Sequence, residues 1–120
     1  MIQVFGTNKC KATKAAERFF AERSIKVQRI DLASKGMAKG ELERVAKALG
    51  GVAALLDREG ARAKAKGLHL LSVEAERLKQ MLLDDALLLR TPVVARGTLA
   101  AVGADEATWK RLADAEKQGA

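Results

Sequence analysis

Cys10 is the only cysteine of this 120-residue chain, and it has Lys9, Lys11 and Lys14 within four residues and Thr13 three residues on. Cationic neighbours and a helix N-terminus favour a thiolate, the attacking species of disulfide exchange. The alternative is that Cys10 is a small buried hydrophobe, as most free cysteines are. Position argues for the first reading. A short apolar run, Ile2-Gln3-Val4-Phe5, ends at Gly6, and a polar turn, Thr7-Asn8-Lys9, follows. Beyond Cys10 the period changes. Ala12, Ala15, Ala16, Phe19 and Phe20 take one face of a helix, and Lys11, Lys14 and Arg18 lie toward the other. The thiol is therefore expected where a buried strand hands over to a helix N-terminus, whose dipole and unpaired N–H groups stabilise an anion.

No resolving thiol accompanies Cys10. Position 13, where a CxxC oxidoreductase carries its second cysteine, is Thr13. An internal disulfide is impossible, so turnover requires an external thiol such as glutathione. The Thr13 hydroxyl can hydrogen-bond a thiolate, or equally its own helix backbone. His69 has no Cys, His or carboxylate companions at metal-ligand spacing, which points to a structural histidine and no metal site. The glycines form no phosphate-binding fingerprint, and no bound cofactor is expected.

The elements that must hold Cys10 read as follows. Ile25 to Leu32 is a second strand, completing a βαβ unit of the kind that gives a parallel pair. Ser34-Lys35-Gly36 breaks the chain, and from about 37 to 89 the pattern is helical. Leu42, Val45, Ala46 and Leu49 mark a helix stopped by Gly50-Gly51, and Val52 to Leu56 is a short apolar turn. Gly60 to Lys66 reads as a small exposed helix. Ser72 is the expected N-cap of a helix to about Leu83, with Leu78, Met81 and Leu82 inward. Arg90-Thr91-Pro92 leads into a third strand, Val93 to Ala95, and Arg96-Gly97 turns it into an antiparallel fourth, Thr98 to Val102. Asp105 caps a last helix through Ala115 with Trp109 and Leu112 inward, and the tail EKQGA is expected to fray. The result is one α/β domain over 1–120, a mixed four-stranded sheet carrying an inserted helical subdomain.

Composition narrows the classes. At 48% hydrophobic residues and 120 in length the chain suits one globular domain with a core of Leu, Val and Ala, since aromatics are only 3%. No apolar run is long enough to span a bilayer, and no signal-peptide pattern opens the chain. A single cysteine fits a reducing cytoplasm. The net charge of +7 is uneven: residues 1–40 hold nine Lys/Arg against three Asp/Glu, and residues 41–120 hold thirteen against twelve. The excess surrounds Cys10 and would draw in anionic substrates. A nucleic-acid footprint is the weaker reading, because no recognised nucleic-acid motif accompanies the charge.

The segment FGTNKCKATKAAERFF resembles the active-site segment of the arsenate reductase (ArsC/Spx-like) family of the thioredoxin fold. DLASKG, GGVAALLDREG, KGLHLLS and LLLRTPVVARG also look like that family, in the same order and at similar spacing. The similarity runs from about Ile2 to Trp109, and the branch it looks most like contains proteins described as ArsC-family, some with selenocysteine as nucleophile. The resemblance implies a thioredoxin-like fold with Cys10 as nucleophile. It also implies a cis Pro92 facing Cys10 across the cleft, where the residues alone allow an ordinary trans proline opening an edge strand. Thr91 would then present its backbone to a bound thiol or peptide.

Arsenate-reducing members surround the nucleophile with arginines. Here Asp57 stands at the middle arginine position with Arg58 one step later, Thr91 precedes Pro92 with Arg90 one step earlier, and no arginine lies near Val102-Gly103. Arg58 and Arg90 are each as readily surface residues as anion ligands. The implied function is a cytoplasmic monothiol oxidoreductase using glutathione, with glutathione or glutaredoxin/thioredoxin as partner. Lys9, Lys11, Thr13, Lys14, Arg58, Arg90, Thr91 and Pro92 are the candidate anion- or thiol-binding residues around Cys10. The runner-up is a non-enzymatic Spx-like regulator that binds RNA polymerase or another protein.

Overall fold

The computed structural model describes residues 1–119. Its centre is strand β1 (Ile2–Gly6), whose alternation serves two faces of one sheet. Ile2 and Val4 point to one face and Phe5 to the other, and all three are buried. β1 pairs in parallel with β2 (Val27–Asp31) and antiparallel with β3 (Val93–Arg96), and β3 turns through Gly97 onto antiparallel β4 (Leu99–Val102). The sheet order is β2-β1-β3-β4, so the strand that delivers Cys10 is enclosed on both sides. Gly97 takes φ 58°, a left-handed turn conformation that glycine adopts without penalty.

On the first face lie α1 (Lys11–Glu22) and the C-terminal helix. Ala16, Phe19 and Phe20 of α1 meet Trp109, Leu112 and Ala113 over Ile2, Val4, Val94 and Ala101. Phe19 packs edge-on against both Phe20 and Trp109, with centroids 5.2 and 5.6 Å away. Burying each of these large side chains contributes about 1.5–3 kcal/mol, which fixes α1 on the sheet. Asp105 caps the last helix as expected, accepting from the Thr108 N–H at 3.1 Å and its hydroxyl at 2.7 Å.

On the second face sits the helical insertion. It comprises α2 (Lys39–Ala48), a 3-10 turn at Val52–Leu55, α3 (Ala61–Ala65), α4 (Ala75–Asp84) and a second 3-10 turn at Ala86–Leu88. Leu42, Val45, Leu55, Leu68, Leu78, Leu82 and Leu88 pack here with Phe5, Ile30 and Val93 of the sheet. The Glu41 carboxylate accepts from the Ala38 N–H at 2.9 Å, the return half of a capping box. The last helix is α5 (Glu106–Lys117).

Three expected boundaries shift. Ser72 does not cap α4, which starts at Ala75 after Glu74. Arg58 donates to the carbonyls of Leu68 and Leu71, and Val73 packs on the core, so the chain enters the helix later than its hydroxyl signal suggested. β2 is shorter than Ile25–Leu32 and is not apolar on one side only: Ile25 and Val27 face α1 and α5, whereas Ile30 and Leu32 face the insertion. α5 runs to Lys117, beyond Ala115, because Glu116 bonds Arg96 at 2.8 Å; Gln118 and Gly119 follow the helix, and Ala120 lies outside the described residues.

Candidate functional site

Cys10 is the N-cap residue of α1, with φ −85° and ψ 116°. Its N–H closes a turn onto the Thr7 carbonyl at 3.2 Å, and its carbonyl accepts the Lys14 N–H at 3.2 Å. The chain thus leaves β1, turns once and starts the helix at the thiol. Two features allow this tight hand-over. The Thr13 side chain lies directly on Gly6, where any Cβ would collide with it, so glycine is needed for steric reasons at the end of β1. The Leu32 N–H also binds the Gly6 carbonyl at 2.9 Å, tying the exit of β2 to the exit of β1.

The half-buried sulfur faces the loop before β3. The Cys10 thiol donates to the Thr91 carbonyl at a sulfur–oxygen distance of 3.7 Å, and the Thr91-Pro92 bond is cis. Burial pushes the Cys10 thiol up, but hydrogen bonds from the Thr13 and Thr91 hydroxyls and from the Thr13 and Ala12 backbone N–H groups outweigh it, leaving the thiol below its ordinary value. Lys9, Lys11 and Lys14 are exposed and are not among the groups that lower it. Thr13 is fully buried, and its hydroxyl has no partner while Cys10 is a thiol. A thiolate supplies the missing acceptor, so the orphan hydroxyl itself favours ionisation.

The candidate residues divide into two groups. Cys10, Thr13, Thr91 and Pro92 come together at the junction of β1, α1 and β3. Lys11 and Lys14 lie on the solvent side of α1, and Lys9 borders a mostly apolar cleft with Thr7, Asn8, Asp31, Ala33 and Leu87.

The arginines behave differently from each other. Arg58 points Nη1 at the carbonyls of Leu68 (2.8 Å) and Leu71 (3.0 Å), holding the insertion's own loop. These bonds give Arg58 a backbone-holding role through Nη1. Asp57, at the position of the family's middle arginine, packs its carboxylate against Gly60 in the turn before α3. Arg90 lays its guanidinium beside Gly103, with Nη2 3.0 Å from the place a Cβ would occupy. Gly103 in turn donates to the Pro92 carbonyl at 2.9 Å. The end of β4 lacks an arginine in sequence but has one in space.

Arg29 carries no local sequence signal of a role at this site. It sits on β2 opposite Val4 and bonds three acceptors around the turn that precedes Cys10: Glu17 Oε1 (3.2 Å), the Gly6 carbonyl (3.3 Å) and Asn8 Oδ1 (3.1 Å). A basic residue between Val27 and Ile30, on the face turned to α1, was its only mark in the sequence. His69 is half-buried with Nδ1 unpartnered. Among the described residues no group of three or more His, Cys, Asp or Glu could hold a metal ion, and no helix is long and apolar enough to cross a membrane.

A central strand that leads through one turn to a cysteine at a helix N-terminus, opposite a cis-proline before an antiparallel strand, defines a monothiol protein of the thioredoxin fold. The ArsC family model matches residues 5–112, and the chain belongs to the ArsC family. Membership supports an arsenate-reductase-like thiol oxidoreductase. Solved structures share the architecture. The YffB protein superposes with a TM-score of 0.81 at 17% identity, over 92% of this chain and 97% of that one. Arsenate reductase from Vibrio cholerae gives 0.75 at 19% identity, over 85% and 88%. An arsenate reductase (ArsC) related protein from Brucella melitensis gives 0.66 at 20%, over 92% of both. At such identities the likeness establishes the fold. No curated protein sequence matches the chain.

Proposed function

We propose that this chain is a glutathione-dependent monothiol oxidoreductase in which Cys10 is the nucleophile. The observation that carries this reading is the sulfur itself: half-buried at the N-cap of α1, 3.7 Å from the Thr91 carbonyl, and held below the ordinary thiol range by hydrogen bonds.

The Cys10 thiolate attacks the glutathione sulfur of a mixed disulfide, forming the Cys10–glutathione S–S bond and releasing the other thiol as its thiolate. A second glutathione thiolate then attacks the glutathione sulfur on Cys10. Oxidised glutathione forms from the transferred glutathionyl group and the incoming glutathione, and the Cys10 thiolate returns, so each turnover consumes one reduced glutathione and leaves the disulfide bond between two glutathiones. With one cysteine in the chain, both exchanges are intermolecular. Thr13 and Thr91 stabilise the thiolate as attacking and leaving group, and Thr91 borders the space where the substrate must lie. Glutaredoxin or thioredoxin can replace the second glutathione by the same exchange. A reducing compartment such as the cytoplasm supplies these reductants.

The test is incubation with oxidised glutathione followed by intact-mass measurement. One glutathione adduct is expected on the wild type, removed by reduced glutathione and absent in Cys10→Ser. An unmodified Cys10 in a chain that retains RNA polymerase from a lysate would instead favour the regulator.

A further inference from the structure

We propose that Arg29 is a positioning residue of the Cys10 site, clamping the cysteine turn to β1 and α1 through its bonds to Gly6, Asn8 and Glu17. The inference rests on the reading of Cys10 as nucleophile.

Each arm of the clamp holds a different part of the hand-over. Nη1 binds the Gly6 carbonyl, the last residue of β1; Nη2 binds the Asn8 side chain, the middle of the turn; Nε binds Glu17, inside α1. A guanidinium fork spans three such acceptors because its donors are fixed in one plane, whereas an ammonium group offers a single point. The Arg29 side chain is 20% exposed, and its bonds to Gly6 and Glu17 are partly buried while the one to Asn8 lies at the surface. At the same junction, Thr13 packs onto Gly6. The start of α1 is thus pinned to the end of β1 twice, once by van der Waals contact and once by charge-assisted hydrogen bonds. Between the two pins lies the one turn that sets where Sγ stands relative to Thr91.

Arg29 is not among the groups that act on the Cys10 thiol directly. Its influence passes through geometry: without the clamp, the turn moves, and Sγ leaves the reach of the Thr13 and Ala12 N–H groups and the two hydroxyls. Loss of those donors lowers the thiolate fraction, and displacement from Thr91 slows attack on a substrate held there. Misplacement by about 1 Å costs on the order of a hundredfold in rate.

The experiment uses the full chain with Arg29→Met, Arg29→Lys and Asn8→Ala, and two readouts: the rate of adduct formation with oxidised glutathione at neutral pH, and the pH inflection of iodoacetamide alkylation. Circular dichroism and thermal unfolding monitor the fold. Arg29→Met is expected to slow adduct formation at least about tenfold and to move the inflection up toward the free-thiol value of about 8.5. Arg29→Lys should follow it, since lysine keeps the charge and loses the fork; Asn8→Ala should give a smaller change in the same direction. Wild-type behaviour of Arg29→Lys in both readouts would mean that charge suffices and would overturn the clamp, as would an unaltered Arg29→Met. If Arg29→Met fails to fold, Asn8→Ala decides: unchanged rate and inflection overturn the proposal. Alkylation keeps the outcomes apart. A wild type with a depressed inflection and no glutathione adduct sinks the oxidoreductase reading while Arg29 remains measurable by alkylation.

Discussion

Thr13 does two jobs that pull on the same atoms. Its bulk fills the space over Gly6, and its hydroxyl, buried without a partner, waits beside the Cys10 sulfur. The rate of iodoacetamide alkylation should rise with pH through an inflection below about 8.5, the value of an unperturbed thiol. Thr13→Val keeps the shape and removes the donor, so the inflection should move up. Replacing Lys9, Lys11 and Lys14 together by Gln should move it less, because these side chains reach into water, where their fields are screened. A larger shift from the lysine set than from Thr13→Val would make the ammonium field the cause. The packing role has its own test in urea unfolding. Gly6→Ala forces a methyl into the Thr13 side chain and should destabilise by about 1–3 kcal/mol. Adding Thr13→Ala should recover part of that loss, as expected for two residues in contact.

Among the elements, the loop between α3 and α4 depends on Arg58, whose Nη1 holds two of its carbonyls. Arg58→Ala should speed amide exchange over 67–74 while leaving the Cys10–glutathione rate within about twofold of wild type, as for sites that share no partners. A slowed rate with an unaltered loop would return Arg58 to the anion site.

Ion pairs tie neighbouring elements together. The hydrogen bond from Arg96 on β3 holds the Glu116 carboxyl of α5 below its usual range, with the chain's N-terminal ammonium adding to it. The bond from Lys79 on α4 does the same for Glu43 on α2. Both folded-state values lie below the unfolded ones, so each contribution is fully present above the ordinary carboxylate value of about 4.3 and is lost as pH falls through the folded value. Thermal unfolding followed from neutral pH down to about 3 should show that decline, and Glu116→Gln should flatten it. An undiminished slope in Glu116→Gln would place the acid sensitivity elsewhere.

At the scale of the molecule, the sheet separates two cores, and the site lies where both meet the exit of β1. α1, seated on α5, supplies Cys10 and Thr13; the insertion delivers the chain to Arg90, Thr91 and Pro92, with the Arg90 N–H bound to the Leu55 carbonyl at 2.7 Å. An oxyanion beside a thiolate needs several charge-assisted donors aimed at it, because two negative groups repel. Here Arg58 is turned to backbone carbonyls, Asp57 occupies the middle arginine position, and Arg90 alone lies at the β4 end. Arsenate turnover in an NADPH-coupled assay with glutathione and glutaredoxin should therefore be slow or absent, even where the glutathione adduct forms readily. Robust turnover that requires Cys10 and is lost in Arg90→Ala would show that one guanidinium suffices.

Local signals settled the parts of this protein that depend on neighbours in the chain. The change from a strand period to a helix period at Gly6–Cys10 located Cys10 at the N-cap of α1, and Asp105 located the cap of α5. Pro92 opposite Cys10 came from the family resemblance, not from spacing. Ser72 misled because an N-cap hydroxyl is a weak preference, and Arg58 and the packing of Val73 hold that stretch out of the helix. What depended on distant chain segments was decided only by tertiary structure. Arg90 reaches Gly103 because β3 and β4 end side by side, and Arg29 reaches Gly6, Asn8 and Glu17 because β2 lies parallel to β1 beneath α1. A guanidinium carries the same charge wherever it stands; which acceptors it meets is set by the packing of elements that the sequence keeps far apart.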